Sequence, residues 1–134
     1  MQDLQSPRKV LVLEDDRRTM YWLITAAISR ADLLEVVWAR TLEEAIDALR
    51  FYDDQLAIIA LGDVITDGPT VDFARQVKTS DFGGMKIRFG DDSRIGKKLE
   101  AAGFPRRCTR FELPSCLLNL ITLYAQTSPF TSLN

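Results

Sequence analysis

IIALGD, residues 58–63, is the stretch on which the reading of this chain turns. Extended back to Leu56 it becomes LAIIAL, a continuous apolar run. That is the pattern of a central parallel strand covered on both faces. The run gives way at Gly62 and Asp63 to a tight acidic loop, and DGP at residues 67–69 marks a further loop.

Working outward, strand and helix signals alternate. KVLVL (residues 9–13) is β-rich and runs into EDDRR. Met20, Leu23, Ile24, Ala27, Ile28 and Ala31 then recur three and four apart, the apolar face of a helix. LEVVWA is the next strand. Thr41 opens TLEEAIDALR, where Thr41 and Glu44 form a capping box and Ala45, Ile46 and Leu49 line the buried side. Downstream, a third helix is predicted over roughly Val71 to Lys78. MKIRF is a strand whose burial should be lopsided, because Lys86 and Arg88 interrupt it. SRIGKKLEAAG suits a short helix closed by Gly103. RCTRF reads as a last strand, and Pro114 stands at the start of the helix SCLLNLITLYAQ. The final TSPFTSLN is expected to be loosely held.

This alternation predicts an α/β fold, a doubly wound five-stranded parallel sheet, because parallel strands need crossover helices. Functional residues in such sheets gather at the carboxyl ends of strands. EDD after the first strand and GD after the third both fall there. The 134 residues suffice for one compact domain, with a core over about 8–126 and short flexible termini.

Composition narrows the chemistry. The apolar content of 46% and charged content of 27% are those of a soluble globular protein. No apolar run approaches the roughly 20 residues of a membrane span, and MQDLQSPRKV lacks the apolar core of a secretory signal. Cys108 and Cys116 make no disulfide framework, so a cytoplasmic location is expected. There is no histidine, which excludes imidazole as metal ligand, general base or phosphate carrier. The net charge of −2 argues against nucleic acid as a partner. The charges are unevenly placed, however. Lys86, Arg88, Arg94, Lys97, Lys98, Arg106, Arg107 and Arg110 face only Asp91, Asp92 and Glu100 between Met85 and Arg110. One end of the fold should be positive.

KVLVLEDD, the helix TLEEAIDAL, DG after the third strand and LP before the last helix occur in an order and spacing that resemble a response-regulator receiver domain. The resemblance covers roughly Arg8 to Gln126 and implies a flavodoxin-like sheet of order 2-1-3-4-5. It also implies a phosphate switch: an acidic pair holding magnesium, an acceptor aspartate, a hydroxyl residue and a lysine. The acidic pair falls on Glu14 and Asp15, with Asp16 adjacent. The acceptor position falls on Ala60, the hydroxyl position on Phe89 or Gly90, and the lysine position on Leu113. None of these last residues can perform its role. The resemblance therefore implies a degenerate pocket of Glu14, Asp15, Asp16, Ala60, Asp63, Gly90 and Leu113, with weak magnesium binding at Glu14 and Asp15 if any. Asp63 is expected in a solvated loop, away from the acidic pair. VLEDDRRTMYWL is similar as well to receiver relatives that process cyclic phosphates, but their catalytic triplet reads Leu61-Gly62-Asp63 here, and their histidines are missing.

The resulting expectation is a stand-alone pseudo-receiver that signals by contact with a protein partner or by self-association, without phosphorylation, catalysis or a cofactor. By the resemblance, the contact surface would be the basic region Arg94, Lys97, Lys98, Phe104, Arg106, Arg107 and Arg110. Two alternatives stand beside it: a phosphate-accepting regulator using Asp63, and a metal-assisted processor of phosphate esters.

Overall fold

The computed structural model describes residues 9–30 and 34–127, with side chains as far as residue 123. The elements alternate as β1 (Lys9–Leu13), α1 (Arg17–Ile28), β2 (Glu35–Ala39), α2 (Leu42–Phe51) and β3 (Leu56–Leu61). There follow β4 (Val64–Ile65), β5 (Gly68–Pro69), α3 (Val71–Thr79), β6 (Met85–Phe89), α4 (Ser93–Ala101), β7 (Arg106–Cys108) and α5 (Leu113–Thr127). Five strands form one sheet of order β2-β1-β3-β6-β7, and every pairing within it is parallel. This is the predicted flavodoxin-like order, with the hairpin β4–β5 set outside the sheet. Among the described residues no helix is long and apolar enough to cross a membrane.

β3 is the centre of the sheet, and all six of its residues are buried. Its side chains alternate between two cores. Ile59 and Leu61 join Leu11, Leu13, Phe73 and Phe104 under α2, α3 and α4. Ile58 and Ala60 join Val10, Val12, Met20, Phe89 and Leu117 under α1 and α5. Burying both faces of one strand is what its unbroken apolar run requires.

Local chemistry sets the helix boundaries. Thr41 caps α2 by accepting from the Glu44 N–H at 3.1 Å. The return bond of the box is displaced by one residue, Glu44 Oε1 accepting from the Arg40 N–H at 2.7 Å. α4 ends in a glycine-centred cap: Gly103 sits at φ +103, its N–H bonds the Glu100 carbonyl, and the Phe104 N–H bonds that of Leu99. That is a Schellman closure, which folds the apolar residue after the glycine back onto the helix. Phe104 is accordingly fully buried. It is removed from the surface on which its basic neighbours had placed it.

Two further expectations are corrected. Ile28 is 73% exposed, because the buried stripe of α1 runs through Met20, Leu23 and Ala27. Ala31, expected on the same stripe, lies outside the described residues, as does nearly all of the TSPFTSLN tail. The last strand stops at Cys108 instead of continuing through Phe111. Thr109 accepts from the Glu112 N–H through both its carbonyl and its hydroxyl, and its own hydroxyl donates to Glu112 Oε1 at 2.9 Å. This turn puts Arg110 and Phe111 beyond the strand end.

Candidate functional site

The carboxyl ends of β1, β3, β6 and β7 meet around the Glu14 side chain, which is only 2% exposed. Glu14 is held from every side. Its N–H donates to the Ala39 carbonyl at 3.0 Å, and its own carbonyl accepts from Trp38 Nε1. Oε2 accepts from the backbone N–H groups of Asp15 and Asp16 at 3.0 and 2.9 Å. Oε1 accepts from Arg110 Nη1 at 2.7 Å. Arg110 also donates to the Thr19 hydroxyl at 3.0 Å, lies 3.9 Å from Asp16, and rests 5.4 Å above the Phe89 ring. The turn after β7 thus supplies the cation of this strand-end cluster. Leu113, the position assigned to the lysine, is fully buried at the start of α5.

The two remaining acids of EDD are also engaged. Asp15 Oδ2 accepts from the N–H and hydroxyl of Thr66, across the β3–α3 loop. Asp16 caps α1 and accepts from the N–H and hydroxyl of Thr19. The Thr19 hydroxyl holds the Asp16 carboxyl below its usual pKa, against the opposing effect of burial, with help from Arg110. Arg88, at the end of β6, turns away from these acids. Its Nε donates to the Phe104 carbonyl at 3.0 Å, and the guanidinium lies on α4 where Gly96 leaves room.

β3 runs one residue past Ala60. Ala60 pairs with Val12 and Ile87, within the apolar face beneath α1 and α5. The position that looks onto the acidic residue is Gly62, whose N–H bonds the Leu13 carbonyl at 3.0 Å. A Cβ on Gly62 would collide with Glu14 Oε1. The strand end is therefore closed by the glutamate lying over a glycine.

Asp63 does lie in the loop, but it is not solvated. The residue is 8% exposed, and its Oδ2 accepts from the Asp92 N–H at 2.8 Å. The carboxylate packs on Gly90, whose φ of +144 and bare Cα leave the space it fills. Burial raises the Asp63 pKa, the Asp92 N–H opposes it, and the Asp92 carboxylate adds to it. The buried hydroxyl of Thr70 ties down the loop by donating to the Gly62 and Asp63 carbonyls. Asp67 of DG accepts from the Leu42 N–H at 2.8 Å, fastening the loop to α2.

The carboxylates of the strand end are already engaged. Glu14 is neutralised by Arg110, Asp15 turns to Thr66, and the position facing Glu14 is a glycine. Among the described residues no group of three or more histidine, cysteine or acidic side chains is placed to hold a metal ion.

Solved structures share this architecture. A response regulator receiver domain protein (CheY-like) from Methanospirillum hungatei superposes with TM-score 0.72 at 12% identity, over 92% of this chain and 100% of that one. The fold is that of receiver domains. A two-component response regulator from Legionella pneumophila gives TM-score 0.72 at 14% identity, over 90% of this chain and 99% of that one. A response regulator receiver protein from Pseudomonas putida gives 0.70 at 19%, over 89% and 98%. No protein-family model and no curated protein sequence matches the chain.

The receiver fold brings Glu14, Asp15, Asp16, Asp63 and Gly90 to the strand-end region, and leaves Ala60 and Leu113 in the core. Of the basic surface, Arg94, Lys97, Lys98, Arg106 and Arg107 are exposed on α4 and β7. Phe104 is buried, and Arg110 is turned inward to Glu14. Thr19 and Thr66 belong to the strand-end cluster and carried no sequence signal, whereas Gly62 was marked by GD after the third strand.

Proposed function

We propose that this chain is a receiver-fold signalling module that acts by protein contact and does not accept a phosphoryl group. The observation that supports it most directly is the Glu14–Arg110 pair lying over Gly62. In-line phosphoryl transfer needs an exposed carboxylate, a neutralising cation and preorganised donors around the transferred group. Here the cation is spent on Glu14, and no carboxylate projects from the position beside it. Asp63 is covered and already accepts a backbone hydrogen bond. The same arrangement favours a protein without catalytic activity or a metal requirement. The partner surface is the exposed cations of α4 and β7, which suit an acidic protein surface.

The test is incubation of the native chain with magnesium and a small-molecule phosphodonor, followed by intact mass. An unchanged mass is expected. A gain of one phosphoryl group that Asp63→Asn abolishes would overturn the proposal in favour of Asp63 as acceptor.

A further inference from the structure

The turn that carries Arg110 is bracketed by two thiols. Cys108 is the last residue of β7, and Cys116 lies in the first turn of α5. The Cys116 N–H donates to the Glu112 carbonyl at 2.9 Å, which fixes its place directly after the turn. Both side chains belong to the apolar core beneath α1 and α5. Cys108 is buried within it, and the half-buried Cys116 packs against it. There the two sulfurs are neighbours, and Cys116 reaches the Cys108 thiol as a hydrogen-bond partner. Both cysteines are free thiols, and the sequence contains no others. A thiol sheltered in a core is inert, whereas one that solvent reaches can be oxidised. Here one thiol of each kind stands beside the other, as a nucleophile stands beside its resolving partner.

We propose that Cys108 and Cys116 are a reversible oxidation site, at which a hydroperoxide converts the two thiols into one disulfide across the turn at residues 109–112. Cys116 reacts first, because it is the thiol that solvent reaches. Its thiolate attacks one peroxide oxygen: an S–O bond forms, the O–O bond breaks, and the departing hydroxide takes up a proton as water. Cys116 is then a sulfenic acid. Cys108 keeps its proton until this point, since burial pushes its thiol up to about 12. Its sulfur next attacks that of Cys116: the S–S bond forms, the S–O bond breaks, and the hydroxide leaves with the Cys108 proton as a second water. Two thiols have lost two electrons and the peroxide has gained them. A thiol reductant reverses the bridge by exchange. The bridge closes a loop of nine residues, 108–116, around the arginine that lies on Glu14. Cross-linking restricts the unfolded chain, so oxidation should hold the turn and the strand end more firmly.

The test exposes the reduced full chain to hydrogen peroxide at about pH 8, then alkylates it with iodoacetamide under denaturing conditions. Intact mass should show the loss of two hydrogens and no alkyl group. Trypsin should then release residues 108–110 and 111–134 as one linked pair, which dithiothreitol separates. Cys108→Ser should stop at a sulfenic acid on Cys116 that dimedone labels. Cys116→Ser should leave Cys108 reduced and open to alkylation after unfolding. Circular dichroism confirms that both variants fold. The bridged native chain should unfold at a higher urea concentration than the reduced one. Two alkylatable thiols remaining on the native chain, bridges found only between chains, or a bridged chain that unfolds earlier would each overturn the proposal.

Discussion

Arg110 and Glu14 are separated by 96 residues of sequence and joined at 2.7 Å, and their pairing closes the carboxyl end of the sheet. Glu14 is nearly fully buried, whereas Arg110 is about a third exposed. Removing the cation leaves a buried carboxylate with only its two backbone donors. Arg110→Ala should therefore destabilise the fold by about 1.5–3 kcal/mol, the range for hydrogen bonds to charged groups. Adding Glu14→Gln should recover part of that loss, because the unpaired charge is then gone. Urea denaturation of the two single variants and the double variant reads the coupling directly. Additive losses would mean that the pair does not act as a unit.

Asp63 gives the pH dependence a definite sign. Its folded pKa is raised above 3.8, chiefly by burial, so the fold favours the protonated carboxyl. The contribution to stability is fully present below the unfolded pKa and is lost as pH rises through the folded one. At neutral pH the ionised group is a net cost. Asp63→Asn removes that cost and can still accept from the Asp92 N–H. Its melting temperature should exceed that of the native chain at pH 7, and the gap should close as pH falls toward 3.8. Asp16, whose pKa is lowered, contributes with the opposite sign in both proteins and cancels from the comparison. A gap that widens in acid would reverse the assignment.

How much of this was legible in the sequence depended on the range of the interaction. LAIIAL announced β3 because a strand covered on both faces needs no alternation. The Thr41 cap and the glycine closing α4 were visible because their partners lie within a few residues. The strand order came with the resemblance to receiver domains, since periodicity does not order parallel strands. Arg110 looks like a surface cation in the sequence, because nothing local shows that the last strand stops at Cys108 and aims the arginine at Glu14. The burial of Asp63 depends on Gly90 and Asp92, which reach it from a neighbouring strand end. Phe104 is a different case. A helix ending in glycine followed by a large apolar residue is itself the sign of a Schellman closure, and its burial could have been foreseen.

The two thiols should react unequally. Burial, reinforced by the neighbouring Cys116, pushes the Cys108 thiol up to about 12. Cys116 lies on α5 and is only half-buried. The thiolate is the species that reacts. Alkylation of the folded chain at about pH 8 should modify Cys116 first, with Cys108 following only on unfolding. Peptide mapping after a short exposure to iodoacetamide checks this. Equal labelling would show that Cys108 is accessible.

Partner binding through the basic surface should depend on the exposed cations of α4 and β7. Lys97→Glu with Lys98→Glu should weaken capture of an acidic partner, chiefly through a slower association rate, and raised salt should do the same to the native chain. Phe104→Leu should change stability without a specific effect on binding, since Phe104 is fully buried. Surface plasmon resonance at two ionic strengths separates the two effects. Binding indifferent to both lysines and to salt would move the contact elsewhere.

The strand end can also be challenged by restoring the missing carboxylate. Ala60→Asp places it between Val12 and Ile87 in the apolar core, where even the neutral, protonated carboxyl without a partner costs roughly 2–7 kcal/mol and the ionised form far more. That variant should unfold before it reacts. Gly62→Asp aims its carboxylate at the pocket but has no room, because Glu14 Oε1 occupies the space a Cβ would take. It should destabilise the fold by about 1–3 kcal/mol, as overpacking does, and Glu14→Ala should relieve the strain. Relief also frees Arg110, so the double variant regains an acceptor and a cation together. It still lacks the acidic neighbour, and Phe89 and Gly90 offer no hydroxyl. Losing one preorganised donor costs about 2.7–4 kcal/mol of transition-state stabilisation, so labelling by a small-molecule phosphodonor should remain orders of magnitude too slow for a switch. Intact mass over time measures it. Rapid labelling of the Gly62→Asp, Glu14→Ala protein would show that Arg110 suffices, and that the Glu14–Arg110 pair alone keeps this strand end silent.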